Sequence, residues 1–335
     1  MTKKKLINVN AGELFHNSLR EERSTFGQIG FQFLGDGKIK LVSCCCNTID
    51  GLIEFGYFDD FRIPKHMPIN GKDYEITEIG RDTFIRTMVS IFIPATISKI
   101  ENNAFSFWPY SILSKIQVSK DNKFYDCREN CNAIIETSTN TLIAGCDNTH
   151  IPESVERISA CAFSAVKLKS LYIGPNVVSI DSSFADFFGL EEIKVSQFNK
   201  YYDSREDCNA IIETATNTLL KGCKNTMIPN SVKSLGVSSF ATTNELETID
   251  IPESIDVIDE YAFCNCASLK KINIPQSTKR IGLFAFYNTS LTSVTLKNIN
   301  AKVHKDAFEP KVSINGQPHD YWLKPKCKYL DLQKQ

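Results

Sequence analysis

The sequence lacks the features that mark membrane-embedded, disulfide-rich and nucleic-acid-binding proteins. Its longest apolar runs span only a few residues, whereas a membrane helix needs about 20. Its 38 Lys and Arg nearly balance its 39 Asp and Glu, so the net charge of -1 gives no broad basic field for nucleic acid. Cysteine supplies 12 of the 335 residues, well below the roughly 8 to 10% of short disulfide-held chains. We therefore expect a globular protein with free thiols, no transmembrane segment and no nucleic-acid partner.

Catalytic and cofactor motifs are also missing. The chain has no Gly-x-Gly-x-x-Gly, Walker A, His-Glu-x-x-His, Gly-x-Ser-x-Gly or EF-hand sequence. Its five histidines are dispersed, and none is spaced so that a repeat would pair it with a Cys or a carboxylate as base and nucleophile. The expectation is a non-enzymatic protein with neither a cofactor nor a metal ion.

What the sequence does contain is an internal repeat. The Ile of each Ile-Pro pair, or its equivalent, recurs at spacings of 25, 33, 22, 22, 33, 23, 23 and 22 residues. A period of this size indicates stacked units rather than one closed core. The recurring residues are Ile93, Val118, Ile151, Ile173, Val195, Ile228, Ile251, Ile274 and Leu296.

Each unit follows the pattern Leu-x-x-Ile-x-Ile-Pro-x-Ser-Val-x-x-Ile-x-x-x-Ala-Phe, best formed at 269–286. There, Ile272 and Ile274 alternate with polar residues, which predicts a short strand with one buried face. Proline follows directly and ends the pairing because it has no N–H. One unit cannot bury its own apolar residues, so neighbouring units are expected to stack as parallel strands.

Two longer copies, 118–151 and 195–228, lie 77 residues apart and are identical at 24 of 34 positions. Each contains Cys-Asn-Ala-Ile-Ile-Glu-Thr-x-Thr-Asn-Thr-Leu-x-x-Gly-Cys, at 131–146 and at 208–223. Two apolar runs around a Thr-Asn turn predict a β-hairpin inserted into each copy and projecting from the stack. The constant offset indicates that a block of three units was duplicated.

The cysteines at the ends of these hairpins recur at the same separation of 15 residues, as Cys131 with Cys146 and Cys208 with Cys223. We interpret them as small apolar residues packed at the hairpin base, with base disulfides and a metal site as alternatives. Cys127 becomes Ser204 in the second copy, so the Cys127/Cys131 pair is not a site that both copies share.

These units resemble the repeat of the BspA-like leucine-rich repeat family, Leu-x-x-Ile-x-Ile-Pro-x-Ser-Val-x-x-Ile-Gly-x-x-Ala-Phe-x-x-Cys, over roughly residues 26–310. Cys266 occupies the cysteine position of the motif, whereas Val166 and Thr289 stand there in two other units. The resemblance implies a β-rich, right-handed solenoid of the α/β type, with parallel strands and the two inserted hairpins. It also implies a non-catalytic interaction or adhesion module, often at bacterial surfaces.

The compartment is left open between two locations. The family resemblance implies the cell surface or secretion. Against that, the start of the chain shows no export signal, because the segment after Lys3, Lys4 and Lys5 is too polar and too short. Adjacent thiols at 44–46 also favour a reducing cytoplasm.

Three segments are expected along the chain, which we predict to be a monomer. Residues 1–25 form an N-terminal extension with a short amphipathic helix, and residues 26–310 form the solenoid. Residues 311–335 form a C-terminal cap, in which the Tyr321-Trp322-Leu323 segment covers the apolar edge of the last repeat.

A protein or glycan partner is expected to bind the exposed row of the strands and the hairpins. Phe92 and Tyr172 are large aromatics at positions that the pattern turns to solvent, and interface energy concentrates in such residues. The polar residues predicted to complement them are Lys115, Gln117, Glu192 and Lys194. Two alternatives remain: a solenoid-borne hydrolase with a carboxylate cleft, suggested by Glu192 and Asp250 on the same row, and a purely structural scaffold.

Overall fold

The computed structural model describes residues 5–7, 28–45, 48–49, 52–53, 60–84, 88–105 and 113–319. These residues form two compact units. Unit 1 lies within residues 1–168 and 179–186, and unit 2 within residues 169–178 and 187–335. The predicted N-terminal helix and the Tyr321-Trp322-Leu323 segment lie outside the described residues.

Short β-strands dominate both units. The first sixteen are β1 Lys5–Ile7, β2 Gln28–Gly35, β3 Lys38–Cys45, β4 Thr48–Ile49, β5 Leu52–Ile53, β6 Phe61–Arg62, β7 His66–Ile69, β8 Lys72–Ile79, β9 Ser90–Ile93, β10 Lys99–Ile100, β11 Lys115–Val118, β12 Tyr125–Asp126, β13 Ala133–Glu136, β14 Thr141–Gly145, β15 Arg157–Ile158 and β16 Phe163–Val166. The others are β17 Ser170–Ile173, β18 Ser179–Ile180, β19 Ala185–Phe187, β20 Glu192–Val195, β21 Tyr202–Asp203, β22 Ala210–Glu213, β23 Thr218–Gly222, β24 Ser234–Leu235, β25 Val257–Ile258, β26 Asn273–Ile274, β27 Arg280–Ile281, β28 Ser293–Leu296, β29 Lys302–Val303 and β30 Ser313–Ile314.

Helix is scarce. Each unit has one 3₁₀ turn with described bounds, Arg128–Asn130 in unit 1 and Arg205–Asp207 in unit 2. In the described repeats the α/β-type resemblance is met by strands and turns, because the connections are too short and too turn-rich to hold an α-helix. None of the described helices has the length and hydropathy to cross a membrane.

Where the strand predicted for a repeat forms, it pairs in parallel with its counterpart in a neighbouring repeat. In unit 1, β9 pairs with β11, and in unit 2, β17 pairs with β20 and β28 pairs with both β26 and β30. The Ile-Pro segment then turns the chain. The Pro252 carbonyl accepts from the Ile255 N–H at 3.1 Å, and the Pro275 carbonyl from the Thr278 N–H at 3.2 Å. Each unit is therefore a β-solenoid of stacked parallel strands, as predicted.

A second parallel ladder, which the sequence pattern did not predict, forms at the Val-x-x-Ile segment. It joins β14, β15 and β18 in unit 1 and β23, β24, β25, β27 and β29 in unit 2. Its strands contain two residues in most turns. Such a short segment shows no alternation, so periodicity could not reveal it.

The two inserted hairpins are present, but they do not simply project from the stack. The strands β12, β13 and β14 are antiparallel in unit 1, as are β21, β22 and β23 in unit 2. The last strand of each hairpin joins the second ladder, where Leu142 pairs with Ile158 and Leu219 with Leu235. Each hairpin is thus part of its solenoid wall.

Hairpin insertion also removes two predicted strands. The segments before Ile151 and Ile228 are not extended strands. The His150 N–H instead donates to the Cys131 carbonyl at 3.2 Å, and the Met227 N–H to the Cys208 carbonyl at 3.1 Å. These N–H groups bond to the base of the hairpin, so they do not form a ladder with the neighbouring repeat.

The close approach of each hairpin to the next Phe requires glycine. A Cβ on Gly145 would lie 2.5 Å from Cε1 of Phe163, and a Cβ on Gly222 would lie 2.3 Å from Cε1 of Phe240. No side chain fits in these gaps, so the Gly-Cys sequence that ends both hairpins has a steric cause.

The core of unit 2 contains a stack of phenylalanines supplied by the Ala-Phe position of consecutive repeats. Phe240 and Phe263 stack with ring centroids 5.0 Å apart, Phe263 and Phe286 at 5.2 Å, and Phe286 and Phe308 at 4.8 Å, with interplanar angles of 8° or less. Each ring is at most 2% exposed. We call these four residues the phenylalanine stack.

Unit 1 begins with two further hairpins. β2 and β3 form one of them, and β3 pairs in parallel with β8, which in turn forms a hairpin with β7. The core of this unit includes the stacked rings of Phe84 and Phe105, 5.2 Å apart.

One position of the turn is left-handed in consecutive repeats, two residues before the Phe of the Ala-Phe pair. Asn103 and Ser238 have φ values of 62° and 55° there, and Tyr261 and Phe284 have 57° and 52°. Asn and Ser carry small side chains, and Asn adopts this region readily, whereas a bulky aromatic side chain does so at a cost.

Beyond residue 310, β30 continues the ladder by pairing in parallel with β28. The boundaries proposed at residues 25 and 310 stay predictions.

Candidate binding surface

The predicted contact residues of unit 1 lie side by side on two strands. In the register of β9 and β11, Lys115 faces Ser90 and Gln117 faces Phe92. Strand β6 adds Arg62 on the other side of Phe92. Arg62, Phe92 and Gln117 therefore form one row across three neighbouring strands.

This row is less open than the sequence pattern predicts. Phe92 is half-buried, and the Arg62 guanidinium lies 5.1 Å from its ring centroid. Ser90 is 7% exposed and donates to Asp60 Oδ1 at 3.1 Å. Asp60 in turn accepts from Arg62 Nε at 2.9 Å. Ser90 is thus buried under the Asp60 side chain, although it lies on the same strand face as Phe92.

The predicted residues of unit 2 are fully on the surface. Tyr172 is 46% exposed and faces Lys194 in the register of β17 and β20, while Ser170 faces Glu192. Lys194 Nζ and Glu192 Oε1 are 2.5 Å apart, and this hydrogen bond raises the pKa of Lys194. The intervening Leu171 and Ile193 are buried. Tyr172 and the Lys194–Glu192 ion pair thus lie on the outer face of β17 and β20, while the inner face of these strands is buried.

Two further exposed aromatics, which the sequence analysis did not single out, lie at matching positions of the duplicated hairpins. Phe124 is 48% exposed and Tyr201 is 49% exposed. The signal was available in the sequence, because an aromatic precedes the buried Tyr125 and Tyr202 in both copies.

A single asparagine fixes each of these aromatics in place. In unit 1, Asn122 Oδ1 accepts from the N–H groups of Phe124 and Tyr125 at 2.8 and 2.9 Å, and its Nδ2 donates to two carbonyls at 2.9 Å. In unit 2, Asn199 makes the same four bonds, with distances from 2.7 to 2.9 Å. In both copies, the asparagine side chain therefore bonds the backbone of the exposed aromatic to the preceding turn.

The hairpin cysteines are free thiols in the structure and pack as buried groups. Cys131, Cys146, Cys208 and Cys223 are each at most 1% exposed. Cys146 donates to the Asn132 carbonyl at 3.3 Å, and burial raises its pKa to about 11. This arrangement agrees with packing rather than with base disulfides. Among the described residues, no group of three or more His, Cys, Asp or Glu is placed to hold a metal ion.

A pocket in unit 2 bears on the hydrolase alternative. It is lined by Glu260, Arg280, Ile281, Gly282, Leu283, Lys302, Val303 and His304. Glycosidase chemistry uses a pair of carboxyl groups, whereas this lining includes a single one. Glu192, named for that alternative, is instead paired with Lys194.

A family model settles the relationship of the chain to known proteins. The model of the BspA type leucine-rich repeat region matches residues 68–148, 143–221 and 207–315, in six copies. The chain belongs to this family. A comparison with curated proteins found no match.

Solved structures similar to this BspA-type protein come from bacteria. The pneumococcal vaccine antigen PcpA is 16% identical, with 94% of each chain covered and a TM-score of 0.47. A leucine-rich cell surface protein of Faecalibacterium prausnitzii is 18% identical, covering 88% of this chain and 94% of that one, with a TM-score of 0.44. A leucine-rich repeat protein of Eubacterium ventriosum is 19% identical, covering 87% and 83%, with a TM-score of 0.49. At these scores, the assignment rests on the family match.

Proposed function

We propose that this BspA-type protein is a non-enzymatic adhesion module that binds a protein partner. In unit 1 the contact surface is formed by Phe92, Lys115 and Gln117, and in unit 2 by Tyr172, Glu192 and Lys194. The exposed aromatics Phe124 and Tyr201 of the duplicated copies are further contact residues in this proposal. The observation that carries the proposal is the repeated presentation of an exposed aromatic on backbone fixed by Asn122 and Asn199.

The exposed aromatics supply the expected binding energy. Tyr, Trp and Arg are enriched in hot spots, and Tyr and Trp bury a large area with few rotatable bonds. Backbone that is already hydrogen-bonded loses little conformational entropy when a partner binds. Tyr172, which has the Lys194–Glu192 ion pair beside it, has the composition of an interface core with a polar rim.

A protein is favoured over a glycan because these surfaces are open. Small ligands bind in concave sites that bury most of their area, whereas Tyr172, Phe124 and Tyr201 stand on exposed strands and hairpins. An open, aromatic and mixed-charge surface suits a partner that brings its own complementary face.

The test is a binding screen followed by paired substitutions. The full chain is screened against arrays of purified host extracellular proteins and of glycans, and the dissociation constant of the strongest protein ligand is measured. Y172A combined with Y201A should then weaken binding at least tenfold, which is about 1.4 kcal/mol. Its thermal midpoint should stay within about 2 °C of the parent value, because both side chains are half exposed.

The control carries substitutions on the outward face of another strand. Ser293 and Thr295 are exposed on β28 and have small polar side chains, so S293A combined with T295A should leave the affinity unchanged. Binding to glycans alone, or an unchanged affinity in the Tyr172 and Tyr201 variant, would refute the proposed surface.

A further inference from the structure

The two copies of the hairpin differ in chemistry at one point of their base. In unit 1, Cys131 Sγ lies 3.9 Å from Cys127 Sγ. In unit 2, the equivalent pair is Ser204 Oγ and Cys208 Sγ at 3.8 Å. The geometry is the same, but only the first copy places two sulfur atoms together.

The backbone holds this pair close. Cys127 and Cys131 flank the 3₁₀ turn Arg128–Asn130, and the Cys131 N–H donates to the Arg128 carbonyl at 3.1 Å. Cys127 is half-buried, whereas Cys131 is completely buried. Of the two residues, Cys127 is therefore the more exposed one.

The surroundings favour reaction at Cys127. The hydrogen bond from the Cys131 thiol lowers the pKa of Cys127 to about 6 and raises the pKa of Cys131. Among neighbouring charged groups, Asp126 is neutralised by Arg128, whose Nη2 lies 2.7 Å from Asp126 Oδ2. The nearby Cys146 has a raised pKa, about 11, and stays protonated near neutral pH.

We propose that Cys127 and Cys131 form a peroxide-oxidised dithiol site, with Cys127 as the nucleophile and Cys131 as the resolving thiol. The inference does not depend on the proposed binding surface. It assigns a chemical role to a pair that the second copy lacks.

The reaction balances with a peroxide as the oxidant. The Cys127 thiolate attacks one peroxide oxygen, the O–O bond breaks, and the leaving hydroxide takes a proton to become water. The resulting sulfenic acid is attacked by Cys131 sulfur, the S–O bond breaks, and a second water leaves with the Cys131 proton. One hydrogen peroxide is reduced to two waters, and two thiols are oxidised to one disulfide.

The geometry suits this second step. A disulfide bond is about 2.05 Å long, so the sulfurs at 3.9 Å need to approach by about 2 Å. The Cys127 thiol also donates to the Ile116 carbonyl at 3.4 Å, and this bond is lost on oxidation because a disulfide sulfur carries no S–H. Oxidation is therefore expected to reach strand β11 through that contact.

The test uses hydrogen peroxide on the reduced full chain, followed by alkylation of remaining thiols and tryptic digestion. Cleavage after Arg128 places Cys127 and Cys131 in different peptides, so only a disulfide keeps them joined. We expect a linked peptide pair, separable by reduction, whose fragmentation assigns the bond to Cys131 rather than to Cys146. Cys208 supplies an internal control, and Cys127 should be oxidised at least tenfold faster.

Two variants complete the design. C127S reproduces the arrangement that Ser204 and Cys208 adopt in unit 2, so it should fold normally and give no linked peptide. C131S removes the resolving thiol, so the Cys127 sulfenic acid should persist and be trapped by dimedone. Equal oxidation rates at Cys127 and Cys208, a bond between Cys131 and Cys146, or a wild-type sulfenic acid that never closes to a disulfide would each overturn the proposal.

Discussion

Replacing Phe263 with Ala tests whether the phenylalanine stack holds unit 2 together. Phe263 is completely buried, and both of its faces are covered, by Phe240 at 5.0 Å and by Phe286 at 5.2 Å. Truncating a buried Phe to Ala costs about 3 to 5 kcal/mol, and each stacked aromatic pair contributes about 0.5 to 1.5 kcal/mol beyond its area burial. Because both stacked neighbours are lost, we expect a cost in the upper part of the Phe-to-Ala range, about 4 to 5 kcal/mol.

Phe308 provides the matched comparison. Among the described rings it has one stacked neighbour, Phe286, at 4.8 Å. F308A should therefore cost less than F263A, about 3 to 4 kcal/mol. I299A is the control, because Ile299 is 64% exposed and its loss should stay within about 0.5 kcal/mol.

The measurement is urea unfolding followed by far-UV circular dichroism, with the slopes of free energy against urea compared between variants. Because solenoids can unfold in sections, hydrogen exchange at amides of unit 2 should be measured as well. A cost below about 1 kcal/mol for F263A, or a larger cost for F308A than for F263A, would contradict a stack that carries the stability of this unit.

Four further predictions concern single positions. G222A should cost about 1 to 3 kcal/mol in thermal or urea unfolding, because its Cβ would lie 2.3 Å from Phe240; a neutral result would mean that the ring moves aside freely. N122A should cost a similar amount, because four hydrogen bonds are lost at a buried site; an unchanged melting temperature would contradict its anchoring role. Y261N should raise stability by up to about 1 kcal/mol by relieving a φ of 57°, whereas lower stability would show that ring packing outweighs the strain. The alkylation rate of Cys127 should rise as pH increases through about 6 and level off above it, because the thiolate forms there; a rise only above pH 8 would exclude the lowered pKa.

The spacing of Ile-Pro and Ala-Phe was sufficient to predict the solenoid. Alternation at Ile272 and Ile274 predicted a strand with one buried face, and both residues are buried beside the exposed Lys271 and Asn273. The Phe position predicted a core residue, and Phe263 is completely buried. These features follow from local sequence because every repeat must seal its neighbour in the same way.

Other features depend on contacts that periodicity does not report. The loss of the strands before Ile151 and Ile228 follows from hydrogen bonds to the hairpin base, between residues about 19 positions apart. The burial of Ser90 follows from Asp60, which belongs to a preceding strand region. A pattern of polar and apolar residues predicts which face of the strand a side chain is on. It does not predict whether a side chain from another segment covers that face.

Comparing the two copies of the duplicated block shows which residues both copies keep and which residues differ while the fold stays the same. Both copies keep the residues that build the hairpin: the asparagine anchor at Asn122 and Asn199, and the glycine that admits a phenylalanine ring. Where the copies differ, the fold is unchanged, since Ser204 occupies the same position and contacts as Cys127. Sulfur at Cys127 is therefore not needed for packing. The Cys127/Cys131 pair is absent from the second copy, so the repeat pattern does not predict it as a shared site. The same difference shows that the fold does not require a thiol at Cys127, which is consistent with a chemical role there.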